Sequence, residues 1–450
     1  MEKQDSSSLI RSLIAKGELP TVDRLNVIEE RRRVDIDYVV KPKIIQYIPK
    51  KLCVDDFTKT MRNRYEFLKN ILLNRPSTVD AVSIGKLSYT GESKAMIIAM
   101  VVEVMKFPSG AMKIELEDPT GRITALLSKD KQEILEDAGT LSNDEVVAVR
   151  GSYSKKMFYI DEIIWPDVPN APNKFADEEV YAAFSGDIHA GSNTFLPEQL
   201  QRFIDWLNGK SGDEAQREIA KKTKYVFFQG DVVDGIGIYP TQEKELQLTD
   251  ITKQYEQAAS FIKQIPSDKA VIICPGNHDA LRLAEPQPPL GKDIAGSLYD
   301  LTNVFCVSNP CTVNIHSANF SGFNVLMYHG YSFDYYLDKI EGLRLAGGYD
   351  RPDLLLKFFL KRRHLAPAYE SVPSLPMAED PLLIKDIPDI FTTGHIHKAK
   401  LMTYKGILGI ASSCWQRNTS FQDRVGVKAE PGRVPLVNLQ NRKAQILEFM

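Results

Sequence analysis

The sequence predicts an α/β fold preceded by a β-rich barrel, on three observations. Between residues 178 and 450, five apolar runs of strand length each end in a short polar cluster. Segments between some of these runs carry apolar residues at helical spacing, as in LPEQLQRFIDWLNG and ITKQYEQAASFIKQI. Upstream, residues 79–168 hold shorter β-rich runs separated by turn signals such as PSG and DPTGR. Strands alternating with helices imply a parallel or mixed sheet with covered faces.

Taken in order, residues 1–78 read as a helical and linker segment. Residues 1–20 suit a short amphipathic helix opened by serines, and 21–50 look loose, with the charge run EERRRVD and prolines at 42 and 49. A helix is predicted from Asp55 or Asp56 to about Asn74, because Phe57, Met61, Tyr65, Leu68 and Leu72 recur at helical spacing and Pro76 stops it. Its stripe should pack on the next domain. Within 79–168, the runs MIIAMVVEVMKF, MKIELEDPTGRITALL, EVVAVRGSY and MFYIDEIIW give about five strands, with a helix near Lys131 to Asp137. That pattern suggests an OB-type barrel, a fold often used on oligonucleotides. Residues 80–168 carry ten Lys/Arg against fifteen Asp/Glu, a net charge of −5, which favours protein contact over independent strand binding. The proline-containing stretch VPNAPNKFA then links to the α/β domain, 178–450.

Bulk properties narrow the function classes. An apolar fraction of 43% supports real cores, and a net charge of −3 gives no global positive field for nucleic acid. Five scattered cysteines form no CxxC pair and read as reduced packing residues. The opening MEKQDSSSLIRSLIAKGEL lacks the apolar core of a signal peptide, and no run approaches the ~20 apolar residues of a membrane span. A cytoplasmic protein without membrane contact is expected.

The chemistry lies in the five strand ends, VYAAFSGDIH, YVFFQGDVVD, AVIICPGNHD, NVLMYHG and DIFTTGHIH. Together they bring Asp187, His189, Asp231, Asp234, Asn277, His278, Asp279, His329, His395 and His397, five of the seven histidines included. Ligands of open α/β sheets collect at carboxyl ends of strands, so these groups can converge in one crevice. Several carboxylates, a carboxamide and multiple imidazoles exceed the needs of one four-coordinate ion and suit two adjacent divalent ions sharing a ligand. Water bound to such a pair ionises near neutrality and can attack phosphorus, which points to phosphoester hydrolysis. Gly186, Gly230, Gly276 and Gly394 precede clusters and are expected to permit the turns that aim the next side chain. His316 reads as exposed on a hairpin strand, and His364 as a solvated helix end.

The ordered motifs DxH, GDxxD, GNHD, a strand-final His and GHxH resemble those of the calcineurin-like metallophosphoesterase superfamily. With FFQGDVVDGIGIYP, PGNHDALRLAEPQP and SSCWQRNTSFQ, and the OB-like region before them, residues 55–450 resemble the small, exonuclease subunits of archaeal family-D DNA polymerases. The resemblance implies a calcineurin-like α/β sandwich after the barrel and a 3′→5′ proofreading exonuclease acting at DNA 3′ ends beside a large catalytic polymerase subunit. It implies a first metal on Asp187, His189, Asp231 and His397, and a second on Asp231, Asn277, His329 and His395, with Asp231 as the bridge. His278 would contact the scissile phosphate and protonate or stabilise the departing oxygen, and Asp234 would orient it, while Asp279 would cap a turn. Two Mn²⁺ ions are implied, with iron or zinc as alternatives. Small subunits of eukaryotic replicative polymerases resemble this architecture but lack metal ligands, whereas every ligand position is filled here. Arg282, Lys398, Lys400 and Arg417 are candidates for the DNA backbone, and Trp415 for stacking a base. The same centre would also serve a phosphatase or a small-molecule phosphodiesterase, and a mainly structural polymerase subunit is a third reading.

Overall fold

In the computed structural model, residues 40–89 and 93–450 are described, so the predicted helix over 1–20 and the run EERRRVD lie outside them. The first described residues correct one expectation. Val40–Lys43, within the stretch read as loose, is a strand, β1, paired antiparallel with residues 312–315. Pro42 is tolerated because β1 lies at a sheet edge.

Helix α1, Val54–Leu73, starts one or two residues before its predicted first turn. The Asp56 carboxylate accepts from the Cys53 backbone N–H at 3.0 Å, satisfying a donor outside the helix ladder. Tyr65, Leu68 and Leu72 bury against Met96, Ile98, Met100 and Ala148, as the stripe predicted.

The β-rich region closes into a five-stranded barrel. Its elements are β2 (Lys94–Lys106), β3 (Met112–Asp118), β4 (Gly121–Leu127), α2 (Gln132–Ala138), β5 (Val146–Ser154) and β6 (Met157–Ile164), in the order β2-β3-β4-β6-β5. Alternate residues point inward, so Ile114, Leu116, Ile123, Ala125 and Leu127 meet Val147, Val149, Phe158 and Ile160 in one core. Closure removes the unpaired edges an open sheet would expose.

The rest folds as β7 (Tyr181–Ser185), α3 (Pro197–Leu207), α4 (Glu214–Lys222), β8 (Thr223–Gln229), α5 (Ile251–Ile262), β9 (Ala270–Cys274), α6 (Gly296–Tyr299) and β10 (Val304–Cys306). There follow β11 (Cys311–Ile315), β12 (Phe323–Met327), α7 (Phe333–Lys339), α8 (Glu341–Leu345), α9 (Pro352–Arg362) and β13 (Ile390–Thr393). Last come β14 (Lys400–Tyr404), β15 (Ile407–Ala411), α10 (Ser420–Val425), β16 (Arg433–Asn438) and β17 (Ala444–Glu448). The strands make two six-stranded mixed sheets, β10-β9-β8-β7-β16-β17 and β1-β11-β12-β13-β15-β14.

Each sheet buries one face under helices. Val226, Phe228, Val271 and Ile273 pack on Phe203, Ile204, Tyr255 and Ile262, while Leu326, Phe391 and Ile407 pack on Phe333, Tyr336, Leu355 and Phe359. The alternate residues, including Phe184, Phe227, Ile272, Val325, Met327 and Ile390, are also buried, so both faces read as nearly continuous apolar runs.

Two buried polar clusters join the two-sheet region to what precedes it. Arg362, ending α9, donates from Nε to Glu145 at 2.6 Å, and Trp165 Nε1 donates to the other Glu145 oxygen at 2.8 Å. Arg64 of α1 donates to Asp380 Oδ2 at 2.7 Å, and His364 Nε2 lies 3.0 Å from the same oxygen. His364 is thus buried, correcting its reading as a solvated helix end, and burial, with Arg64 beside it, holds its pKa down to about 4. His316 is half-buried, its Nδ1 3.2 Å from the Tyr225 hydroxyl. Among the described residues no helix is long and apolar enough to cross a membrane.

Candidate metal centre

Parallel pairing aligns the carboxyl ends of β7, β8 and β9 in one sheet and of β12 and β13 in the other. All seven predicted ligands lie on the loops that leave those ends. His189 Nε2 is 3.1 Å from His397 Nε2, and His397 Nε2 is 3.5 Å from Asp187 Oδ1. Asp231 Oδ2 lies 3.8 Å from His189 Nε2 and 3.3 Å from His329 Nε2. His329 Nε2 is in turn 2.9 Å from Asn277 Oδ1. Asp187, His189 and His397 form one group whose ligand atoms all lie within 4.8 Å of one another, and Asp231, His329 and His395 form a second.

The backbone at these loops is unusual. Asp187, His189, Asp231, His395 and His397 all adopt left-handed φ, between 48° and 69°. L-residues with side chains rarely do so, and such conformations concentrate at sites where surrounding structure imposes them. The glycines have a different role from the one expected. Of the four that precede clusters only Gly230 has positive φ, 90°. Gly276 instead permits close approach: a Cβ there would strike Asp231. Turning is therefore done by the acidic and histidine residues themselves.

Residues 182–400 match the family of the B subunits of DNA polymerases alpha and epsilon. The chain is 39% identical to the DNA polymerase II small subunit of Methanothermobacter thermautotrophicus, over 88% of this chain and 80% of that protein. It is 34% identical to the Thermoplasma acidophilum protein of the same name over 99% of this chain and 88% of that one. For the Pyrococcus furiosus protein of that name the identity is 33%, over 96% and 71%. The chain belongs to the archaeal DNA polymerase II small-subunit family.

In this family member a further layer of side chains fixes the cluster, and sequence reading missed most of it. Asp334 of α7 lies 3.0 Å from His395 Nε2 through Oδ2 and accepts from the Tyr349 hydroxyl at 2.8 Å through Oδ1. That contact leaves His395 Nδ1 as the nitrogen to face the cluster. Gln422 Nε2 is 3.1 Å from His397 Nδ1, and the Gln229 carbonyl 2.6 Å from His329 Nδ1. Gln416 and Gln242 both donate to the Asp234 carboxylate. Glutamines and an aspartate outside the strand-end motifs carry no local signal of this role.

Asp234 itself works on a different partner from the one expected. Its carboxylate lies 3.1 Å from His189 Nδ1, whereas His278 Nδ1 contacts the Asp234 main-chain carbonyl at 2.7 Å. Asp279 caps its turn, accepting from Gly276 N and Val232 N through Oδ2 and from the Tyr255 hydroxyl through Oδ1. Burial, with Asp231 nearby, pushes Asp279 up to about 6. Burial alone would also raise Asp231, but His329 and His278 outweigh it and hold that carboxyl well below the usual range. Conversely, burial works against a charged His329, yet Asp231 prevails and pushes it up to about 9. Burial lowers His189.

Two substrate-contact expectations fail on geometry, and a third residue, Arg282, is engaged elsewhere. Trp415 is a core residue, 1% exposed, donating to Ser185 Oγ at 2.8 Å and stacked on Phe203, so no base can reach it. Lys398 is buried against Asp350 at 2.6 Å and Glu430 at 3.5 Å. Arg282 is turned to its own loop, donating to the Pro286 carbonyl at 2.6 Å and lying over the Tyr47 ring. Arg417 is exposed and Lys400 half-buried.

The donor set fits cations. Asp187 Oδ2 is buried with no hydrogen-bond partner, and two imidazole nitrogens, His189 Nε2 and His397 Nε2, face one another beside carboxylates. Mixed oxygen and nitrogen donors of this kind could hold a divalent transition metal.

Proposed function

We propose that this chain is the 3′→5′ exonuclease subunit of a replicative DNA polymerase, hydrolysing phosphodiester bonds at a two-metal centre. One observation carries the reading: a single carboxylate oxygen, Asp231 Oδ2, lies between an imidazole of each donor group, His189 and His329. Asp187, His189, Asp231 and His397 would hold one cation, and Asp231, Asn277, His329 and His395 the other; the family resemblance implies Mn²⁺, and the mixed donors suit it as well as iron or zinc. Such a pair supplies Lewis acidity toward phosphoryl oxygens and lowers the pKa of water.

The chain's own groups do the rest. His278, fixed through Nδ1 to the Asp234 carbonyl, lines the cleft and is held to present its other nitrogen to the scissile phosphate. The P–O3′ bond breaks as water oxygen bonds to phosphorus and gives up a proton to solvent, and the His278 N–H delivers a proton to the departing O3′ and is reprotonated from solvent. A nucleoside 5′-monophosphate and a strand one residue shorter result. Asp234 orients the ligand His189 through its carboxylate and His278 through its main chain.

The two mixed sheets support a calcineurin-like sandwich over 178–450, and the barrel order supports an OB-type domain over 79–168 after an N-terminal segment, 1–78. The relatives' name, a small subunit, supports a large catalytic partner, which the acidic barrel would help to bind. In the test, a 3′-mismatched, end-labelled primer is incubated with the chain and Mn²⁺, with and without the large subunit. Stepwise shortening from the 3′ end is expected. An intact primer, alongside turnover of a phosphoprotein, would move the reading to a phosphatase.

A further inference from the structure

The cleft over the metal centre, about 440 Å³, has walls that hydrolysis itself does not need. Tyr239, on the loop after β8, tilts its ring against His278 with centroids 6.5 Å apart, and its hydroxyl donates to Glu245 at 3.2 Å. Tyr331, on the loop after β12 in the other sheet, meets His395 edge-on at 5.9 Å. Both rings are partly exposed and line the cleft. Exposed Ile238 adds apolar surface beside Tyr239.

The charges are as informative. Asp334 and Asp338 lie on the wall of the cleft, and no lysine or arginine is among the described residues that line it. Grooves that track a single strand combine cationic side chains along the backbone with aromatic platforms for the bases. Only the aromatic half is present here. A run of phosphates through this cleft would meet two carboxylates and no cationic side chain, so the metal donors can serve the scissile phosphate alone.

On the nuclease reading above, we infer that the cleft is a slot for one nucleotide, in which Tyr239 and Tyr331 hold the base of the unpaired 3′-terminal residue. The remaining strand is held outside it. The pair replaces Trp415 as the stacking element, and it recognises a π-face, so all four bases are accepted.

The experiment compares two oligonucleotides differing only at the 3′ terminus, one ending in thymidine and one in an abasic tetrahydrofuran residue. Both are digested by the full chain with Mn²⁺, alone and with the large subunit. The unaltered protein should show a KM roughly tenfold lower for the base-bearing end, with kcat moving much less. Tyr239→Ala and Tyr331→Ala should bring that ratio toward one while the abasic strand is still cut, and Tyr239→Phe and Tyr331→Phe should restore it. Equal KM values in the unaltered protein overturn the slot, as does a ratio that survives both alanine changes. An alanine variant that loses the abasic reaction together with the ratio reports structural damage and overturns the stacking role for that ring. Failure of the unaltered protein on both strands would instead overturn the nuclease reading.

Discussion

Two buried polar clusters in this protein use similar residues to opposite ends. At the seams that hold the two-sheet region to the barrel and to α1, each buried carboxylate faces donors: Glu145 receives Arg362 and Trp165, and Asp380 receives Arg64 and His364. At the candidate metal centre like faces like, with His189 Nε2 3.1 Å from His397 Nε2, the His329 and His395 rings 5.2 Å apart, and Asp187 Oδ2 unpartnered. The seams are complete as they stand. The centre is an arrangement that cations would complete: convergence without satisfaction, not burial of charge, distinguishes a binding site from a structural clasp.

The contrast breaks most sharply at Asp231. Asp231→Asn should lower exonuclease turnover roughly 10³-fold or more and remove both metals, read by a primer assay and by elemental analysis of the purified protein. One ion per chain still bound would mean the oxygen is not shared. At the seam the loss should be in stability: Arg362→Met strands Glu145 and costs about 3–5 kcal/mol in urea unfolding, while a Glu145→Met, Arg362→Met double variant recovers much of it. No recovery would place the seam's value in something other than charge pairing.

A pH series probes the paired side. Burial holds folded His364 at about 4, below its ordinary 6.5, so its stabilising contribution is complete above pH 6.5 and is lost as pH falls toward 4. The loss is on the order of 3 kcal/mol, and His364→Gln should lack that part of the slope. Identical slopes in the two proteins would show that His364 charges as readily folded as unfolded. The smallest effect is expected at Asp334, whose contact with His395 Nε2 is indirect for the metal. Asp334→Asn should weaken Mn²⁺ binding about 10- to 100-fold at one of two sites in calorimetry; unchanged affinity at both would remove it from the centre.

Much of this was legible in sequence because the signals are local. Five apolar runs ending in DxH, GDxxD, GNHD, His and GHxH announce strands and their terminal loops, and the period-two pattern of residues 112–127 announces a hairpin. What escaped depends on partners distant in the chain. Trp415 looks available until Phe203 and Ser185 are packed on it, and His364 looks like a helix end until Asp380 returns to meet it. Lys398 looks like a phosphate contact until Asp350 and Glu430 take it. Asp334 lies outside every motif and Gln416 outside the strand-end ones, and both reach the centre only through tertiary packing. Division into two sheets was equally hidden in the strand patterns, since pairing order is not written in any one strand.

The left-handed turns at Asp187, His189, Asp231, His395 and His397 carry a lasting consequence. Each opposes folding by about 1 kcal/mol or more relative to a residue at ease there. On the hydrolytic function proposed above, a descendant released from that reaction would therefore grow sturdier by drifting to glycine or asparagine at those five places. Decay of the chemistry would be rewarded rather than merely tolerated, and only continued use of the reaction would hold the aspartates and histidines in position.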